Sequence, residues 1–371
     1  MFIIFDASLV ENLSNQPDSY RKDLLIILNK AADSMHDKNH YVTTINSDVA
    51  FKLYKLSKEN DYALSANAFF YIYNNFSVIN SLKEHLLYTV IIGKFSKDFE
   101  YIENTIRINY LIAKNRHFWD ETTLIPEYSE DNVYFEKIID YEKKKHINFL
   151  NVQHKYLKGQ GGGHGNINNS FLNCIKQFQF VITILDTDKN SPDDNLGSTA
   201  KDFENDLEIF KYKNIFYYIP DIHEIENLFS SDGFLKLGMF KDDVINKIRR
   251  AESSSVKDAN NFRAFLDIKN GYTVKDITDN PYLSSIFPID YSTIKCPNLP
   301  CACTKKGCCK NELEGGTRTF LKNVFNNSLF QKEFNDSVDG LILKIKEEWF
   351  SIFKYLITTC CCNSEKIIGV N

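Results

Sequence analysis

TTLIPEYSED (Thr122–Asp131), FVITILDTD (Phe180–Asp188) and NIFYYIPDIHEIENLF (Asn214–Phe229) are the three segments from which an architecture can be read. Each opens with a short apolar run and ends in acidic residues. Such runs are too short for core helices and suit strands buried on both faces. Helical periodicity separates them: Tyr134, Phe135, Ile138 and Ile139 share one face of a helix expected over 131–145, and a second helix is expected over about 199–210. A short helix around Phe171, Leu172, Ile175 and Phe178 precedes the second run, and another follows Pro220 through His223–Leu228. His146–Val152 reads as a further strand, followed by the Gly-rich run GQGGGHG from Gly159 to Gly165. Alternating strands and helices predict a mostly parallel sheet covered on both faces. Chemistry in such sheets collects beyond the carboxyl ends of the strands, where each of these acidic motifs falls.

On the N-terminal side, Phe2–Phe5 reads as a strand. Leu24, Leu25 and Leu28, then Val78, Ile79, Leu82, Leu86, Leu87 and Val90, recur at helical spacing. Residues 1–118 are therefore expected to be a mainly helical domain. The FIIFDAS start resembles the first strand of Asp-dependent α/β enzymes, PIN nucleases among them, yet no alternation of strand and helix is evident after it, and Asp6 reads as a strand-end turn residue. On the C-terminal side, Val244, Ile245 and Ile248, then Val338, Leu341, Ile342, Ile345, Trp349, Ile352, Phe353 and Leu356, give amphipathic helices over 241–371. The expected fold class is α/β: a mostly parallel sheet in 119–240 between N-terminal and C-terminal helical regions. No internal repeat and no Walker-A motif occurs.

The 371 residues are 43% hydrophobic and 25% charged, which excludes a disordered or fibrous chain. A formal charge of −5 excludes a surface that binds polyanions indiscriminately, so nucleic acid would need a local patch. No run is long enough to span a bilayer, and the first residues lack a basic n-region, so a cytoplasmic protein is expected. The 9 cysteines are mostly bunched at 296–309 and 360–362, unlike a distributed disulfide framework.

Glu127 follows its strand and Asp131 stands four residues on, near the first turn of the next helix; Asp186 and Asp188 follow theirs as D-x-D. Carboxylates gathered at strand ends offer the hard oxygen ligands that Mg²⁺ or Mn²⁺ takes, and repel one another until a cation or proton intervenes.

These motifs resemble the Toprim family, the metal-binding catalytic domain of topoisomerases, bacterial primases and OLD-type nucleases. The matching residues are Glu127 and Asp131 in LIPEYSED, and Asp186 and Asp188 in VITILDTD. IPDIHEIENLF is similar to the acidic stretch after the next strand in Toprim proteins of PARIS-like phage-defence systems, which implies that Glu224 and Glu226 stand near the same centre. The resemblance covers about residues 120–230. It implies a nuclease acting on DNA or RNA within an anti-phage system, with an ATPase subunit in trans or a phage trigger protein as partner. It implies Glu127 as general acid or base, Asp186 and Asp188 as metal ligands, and Asp131 as support for Glu127 or part of a second metal position. The family's Gly after the Glu is Tyr128 here, and Pro126 precedes the Glu.

The Gly-rich run can bring backbone amides close to an anion, which makes Gly161, Gly162, Gly163 and His164 candidates for phosphate contact; a plain tight turn is the alternative. Arg249 and Arg250, with Lys247 and Arg263 nearby, form the densest basic cluster and are candidates for phosphate contacts outside the metal site. Cys296, Cys301, Cys303 and Cys308 could enclose Zn²⁺ or remain free thiols. Cys360–Cys362 read as small packed hydrophobes. Two other functions fit the residues: a non-catalytic Toprim-like binding or regulatory module, favoured by Tyr128 and the acidic charge, and a D-x-D glycosyltransferase, which gives Glu127 and Asp131 no role. Self-association is left open.

Overall fold

A computed structural model describes residues 1–129, 131–162, 164–210, 214–236, 242–253, 263–268, 271–286, 310–314, 341 and 343–362. It is α/β, with mostly parallel sheets flanked by helices. The chain divides into two compact units: Met1–Ile184 with Phe203–Tyr218 and Ile352–Asn371, and Leu185–Asp202 with Ile219–Ser351. Neither the 118/119 nor the 240/241 boundary expected from the sequence coincides with this division. Among the described residues no helix is long and apolar enough to cross a membrane.

The first unit holds two sheets. One contains β1 (Phe2–Phe5), β2 (Tyr41–Thr44), β3 (Thr89–Gly93), β4 (Phe99–Ile102) and β5 (Thr105–Asn109) in the order β2-β1-β3-β5-β4; only β4, paired with β5, is antiparallel. Phe2, Ile3, Ile4 and Phe5 are all buried, as a strand inside a parallel sheet requires. α1 (Asp18–His36) covers it through Leu24, Leu28, Ala31 and Met35, which recur every three or four residues and are wholly buried. Asp18 in its first turn and His36 in its last suit the helix dipole. α2 (Ser47–Glu59) starts where the Asn46 side chain accepts the Val49 N–H at 2.9 Å. α3 (Ala63–Asn74) and α4 (Phe76–Asn80) follow.

The expectation of a mainly helical 1–118 is therefore corrected. The spacing Val78, Leu82, Leu86, Val90 runs through α4, a 3-10 turn at Ser81–His85 and then β3, and Val78 is 74% exposed. Short apolar runs carry no reliable period, so strands of four or five residues here are absorbed into an apparent helix.

The second sheet orders β10 (Ile215–Tyr218), β9 (Val181–Ile184), β6 (Thr123–Pro126) and β8 (Leu157–Lys158), all parallel. The intervening helices are α5 (Asp131–Lys145), α6 (His164–Gln177) and α7 (Ser198–Phe210). Thr183, a polar residue inside an apolar run, is buried because its hydroxyl donates to the Ile125 carbonyl at 2.6 Å. The strand expected over 146–152 is instead a 3-10 turn, Ile147–Phe149, with Ile147 79% exposed; β7 is only Gln153–His154, antiparallel to Cys361–Cys362. Cys360, Cys361 and Cys362 are buried free thiols, and desolvation raises each of their pKa values.

In the second unit, α8 (Ser231–Lys236) and α9 (Asp242–Ser253) pack with a 3-10 turn at Ile225–Leu228 and another at Arg263–Phe265. Trp349 donates its indole N–H to the Leu228 carbonyl at 3.0 Å.

Candidate metal centre

Strands β6 and β9 run parallel with Pro126 opposite Ile184, so both end at one edge of the second sheet. Glu127 follows β6 directly and is 6% exposed. The turn after it is closed by Asp131, whose carboxylate accepts the Tyr128 N–H at 3.0 Å while its own N–H donates to the Tyr128 carbonyl at 3.1 Å. Asp131 thus closes the turn that carries Glu127 by reaching back to the Tyr128 N–H, as the acid three residues into a capping box does. Tyr128 is 49% exposed, its side chain half in solvent.

The Gly-rich run lies along the same strand end. Gly159 N–H donates to the Leu124 carbonyl at 2.7 Å and Gly162 N–H to the Glu127 carbonyl at 2.9 Å, extending the β8 pairing past the end of β6. A Cβ at Gly161 would stand 2.6 Å from the carbonyl oxygens of both Pro126 and Glu127, and Gly162 has φ +124°. Glycine is needed here for close backbone approach and left-handed backbone. The run seats the Glu127 backbone, and the Gly162 amide is engaged there, not turned to an anion. Gly163 and the His164 side chain lie outside the described residues, although His164 opens α6.

Asp186 and Asp188 belong to the second unit. Asp186 is buried and Asp188 exposed. Asp188 has φ +53°, and its side chain packs on Gly197, where no Cβ could fit. This turn is stitched to the segment after β10. The Thr187 hydroxyl donates to the Ile222 carbonyl, and Asp188 N–H donates to the His223 carbonyl at 2.9 Å. Two of the acidic motifs separated in sequence therefore adjoin. Glu224 and Glu226 are both buried; Glu224 opens the 3-10 turn in a capping box with Asn227.

Asp267 joins this group without having been expected. One ligand atom from each of His223, Glu224 and Asp267 lies within 4.8 Å of the others, His223 and Glu224 buried and Asp267 partly so. Asp267 N–H donates to the Tyr272 hydroxyl at 2.6 Å, and that hydroxyl donates to the Phe265 carbonyl at 3.1 Å, which fixes the loop. Burial raises the Tyr272 pKa, keeping the phenol protonated. The one available signal was an Asp ending the apolar run Ala264-Phe265-Leu266.

The basic cluster separates. Arg249 pairs with Asp232 at 2.7 Å on the surface, and the Arg250 side chain lies outside the described residues. Arg263 is fully buried: its guanidinium donates to Glu252 at 3.1 Å and to the carbonyls of Asn227 and Phe229. It holds a turn and does not face a phosphate, correcting its place in the expected basic patch. Cys296, Cys301, Cys303 and Cys308 lie outside the described residues. Comparison with protein-family models, curated proteins and solved structures finds no match to the chain.

Proposed function

We propose that the chain is a Mg²⁺- or Mn²⁺-dependent nuclease of the Toprim type that cleaves phosphodiester bonds of DNA or RNA. The observation that carries this reading is the parallel pairing of β6 and β9 in the register Pro126 to Ile184, with Glu127 one residue beyond the first strand and Asp186 two beyond the second. The ligands that the resemblance implies, Glu127, Asp186, Asp188, Glu224 and Glu226, are all carboxylates, the residue type that suits a hard divalent ion.

In this reading Asp186 and Asp188 hold the metal, which when bound supplies Lewis-acid stabilisation of charge on a phosphoryl oxygen. Glu127 moves a proton at the attacking or leaving oxygen, and Asp131 positions it by closing the turn. Action within an anti-phage system under a partner's control belongs to the same proposal and rests on the resemblance alone, while a cytoplasmic place for it rests on the sequence expectation.

Incubation of the purified chain with plasmid, single-stranded DNA and tRNA tests it. Strand cleavage with Mg²⁺ or Mn²⁺ that EDTA abolishes is the expected result. Binding of nucleic acid with no cleavage under any metal, with partner ATPases added, would contradict it and favour the non-catalytic module.

A further inference from the structure

On a chain of charge −5 nucleic acid needs a local patch, and the cations first expected to supply one do not: Arg263 is buried and Arg249 is paired with Asp232. The hairpin of α2 and α3, within the first unit, carries a different one. Its inner side belongs to the core, with Leu53, Phe69 and Ile72 wholly buried. A second apolar row lies on its outer side. Phe51 and Tyr54 stand three residues apart on α2, and Phe70 and Tyr73 three apart on α3, so each pair shares a helix face. The two rows meet ring to ring: Phe51 lies 5.2 Å from Tyr73 and Tyr54 5.1 Å from Phe70, centroid to centroid. Phe70 is 45% exposed and Tyr73 39%. Single exposed rings are ordinary on a protein surface, whereas four in contact form a patch that marks an interaction site.

Two ammonium groups stand on this patch. Lys55 Nζ lies 4.6 Å from the Phe51 ring centre and Lys58 Nζ 5.5 Å from that of Tyr54, to whose hydroxyl it donates at 3.1 Å. Among the described residues no carboxylate pairs with either. The nearest acids on α2 are Asp48, held by Lys52 at 2.7 Å, and Glu59 at the end of the helix. Thus α2 offers cations and α3 the more open rings: charge for phosphates, and a flat π-face for each base. Residues three apart on a helix are about 5–6 Å from one another, wider than the ~3.4 Å per nucleotide along a duplex strand. An extended single strand can set successive bases on Phe70 and Tyr73, while a duplex keeps its base faces stacked inside. A second copy docking the same face would bring like charges together, because a two-fold interface pairs a patch with itself.

We propose that the outer face of the α2–α3 hairpin binds single-stranded nucleic acid, with bases stacked on Phe70 and Tyr73 and phosphates at Lys55 and Lys58. The site goes beyond the nuclease reading and shares no residue with it.

The test is fluorescence anisotropy of a fluorescein-labelled oligothymidylate titrated with the full chain in EDTA, beside the same strand annealed to oligodeoxyadenylate. The single strand should bind roughly tenfold or more tighter than the duplex. Phe70→Ala and Tyr73→Ala should each weaken it roughly fivefold or more, and Phe70→Leu, which keeps apolar bulk without a ring, should weaken it as well. Lys55→Gln with Lys58→Gln should flatten the slope of log affinity against log salt by about 1.4, the share of two phosphate contacts on a single strand. That slope decides the matter even if an aromatic variant fails to fold. No binding by wild type, equal binding of the duplex, wild-type affinity in Phe70→Leu, or an unchanged slope in the lysine variant would each overturn the proposal. So would a Phe70→Ala chain that sediments as a smaller species than wild type yet binds the strand equally, because the face would then join two copies. A chain that binds the strand through these residues but cuts nothing with any metal contradicts the nuclease reading and leaves this site standing.

Discussion

Gly161 and Gly165 look alike in the sequence, two glycines of one loop, yet their surroundings call for opposite substitutions. A Cβ at Gly161 meets two carbonyl oxygens at 2.6 Å, whereas one at Gly165, in the first turn of α6, meets nothing within 4 Å. Gly161→Ala should destabilise the protein by about 1–3 kcal/mol through overpacking. Gly165→Ala should stabilise it by up to about 1 kcal/mol by restricting the unfolded chain. Midpoints of urea unfolding for the two variants check both signs. The difference was not legible in the sequence, because it depends on which residues of β6 the loop lies against.

His40 makes a second prediction. Its ring is fully buried, Nε2 lies 3.3 Å from the Phe118 carbonyl, and burial, then the nearby N-terminal charge, push its pKa well below 6.5. The folded state keeps the ring neutral while the unfolded chain takes up a proton below pH 6.5, so stability is full above that pH and falls as pH drops through it. Wild type should lose about 1.4 kcal/mol per pH unit more than His40→Gln in this acid window. Equal slopes from unfolding titrations between pH 6 and 4 would show that His40 is not the group responsible.

Among the elements, α9 and the turn after β10 depend on one cation. Arg263 bonds Glu252 of α9 and two carbonyls of the 227–229 segment from a position with no exposure. Arg263→Ala should cost about 3–5 kcal/mol, since it leaves Glu252 without its cation, held only by Ser231, and takes the donor from two buried carbonyls. Arg263→Met, which fills the space without charge, should cost less; calorimetric melting compares them. From sequence Arg263 was indistinguishable from the exposed cations near it, because only burial separates a structural guanidinium from one that can meet phosphate. Helices were read more faithfully. The residues Tyr134, Phe135, Ile138 and Ile139 mark one face of α5, and the expected range 131–145 is the observed one. The strands β2 and β3 were missed because four or five mostly buried residues show neither period 2 nor a helix's length, and β5, where buried Ile106 and Ile108 flank exposed Arg107, alternates over too few residues to stand out.

Across the whole molecule, parallel strands bring motifs far apart in sequence to common edges. The order strand, acidic pair, Gly-rich loop, strand, D-x-D, strand was legible, and so was the parallel second sheet that β6, β9 and β10 form. The division into two units was not, because Leu185–Asp202 leaves one compact unit and Phe203 re-enters it without any change in composition to mark the crossing. Asp267 was equally hidden, since it reaches His223 through tertiary packing alone. The nuclease reading rests most heavily on Glu127, held by the Asp131-capped turn and the Gly-rich run. Glu127→Gln preserves shape and hydrogen bonding while removing the group that titrates. Metal-dependent cleavage of whichever nucleic acid the wild type cuts should fall roughly 10²- to 10⁴-fold, with substrate binding retained. Cleavage by Glu127→Gln at the wild-type rate would contradict the account.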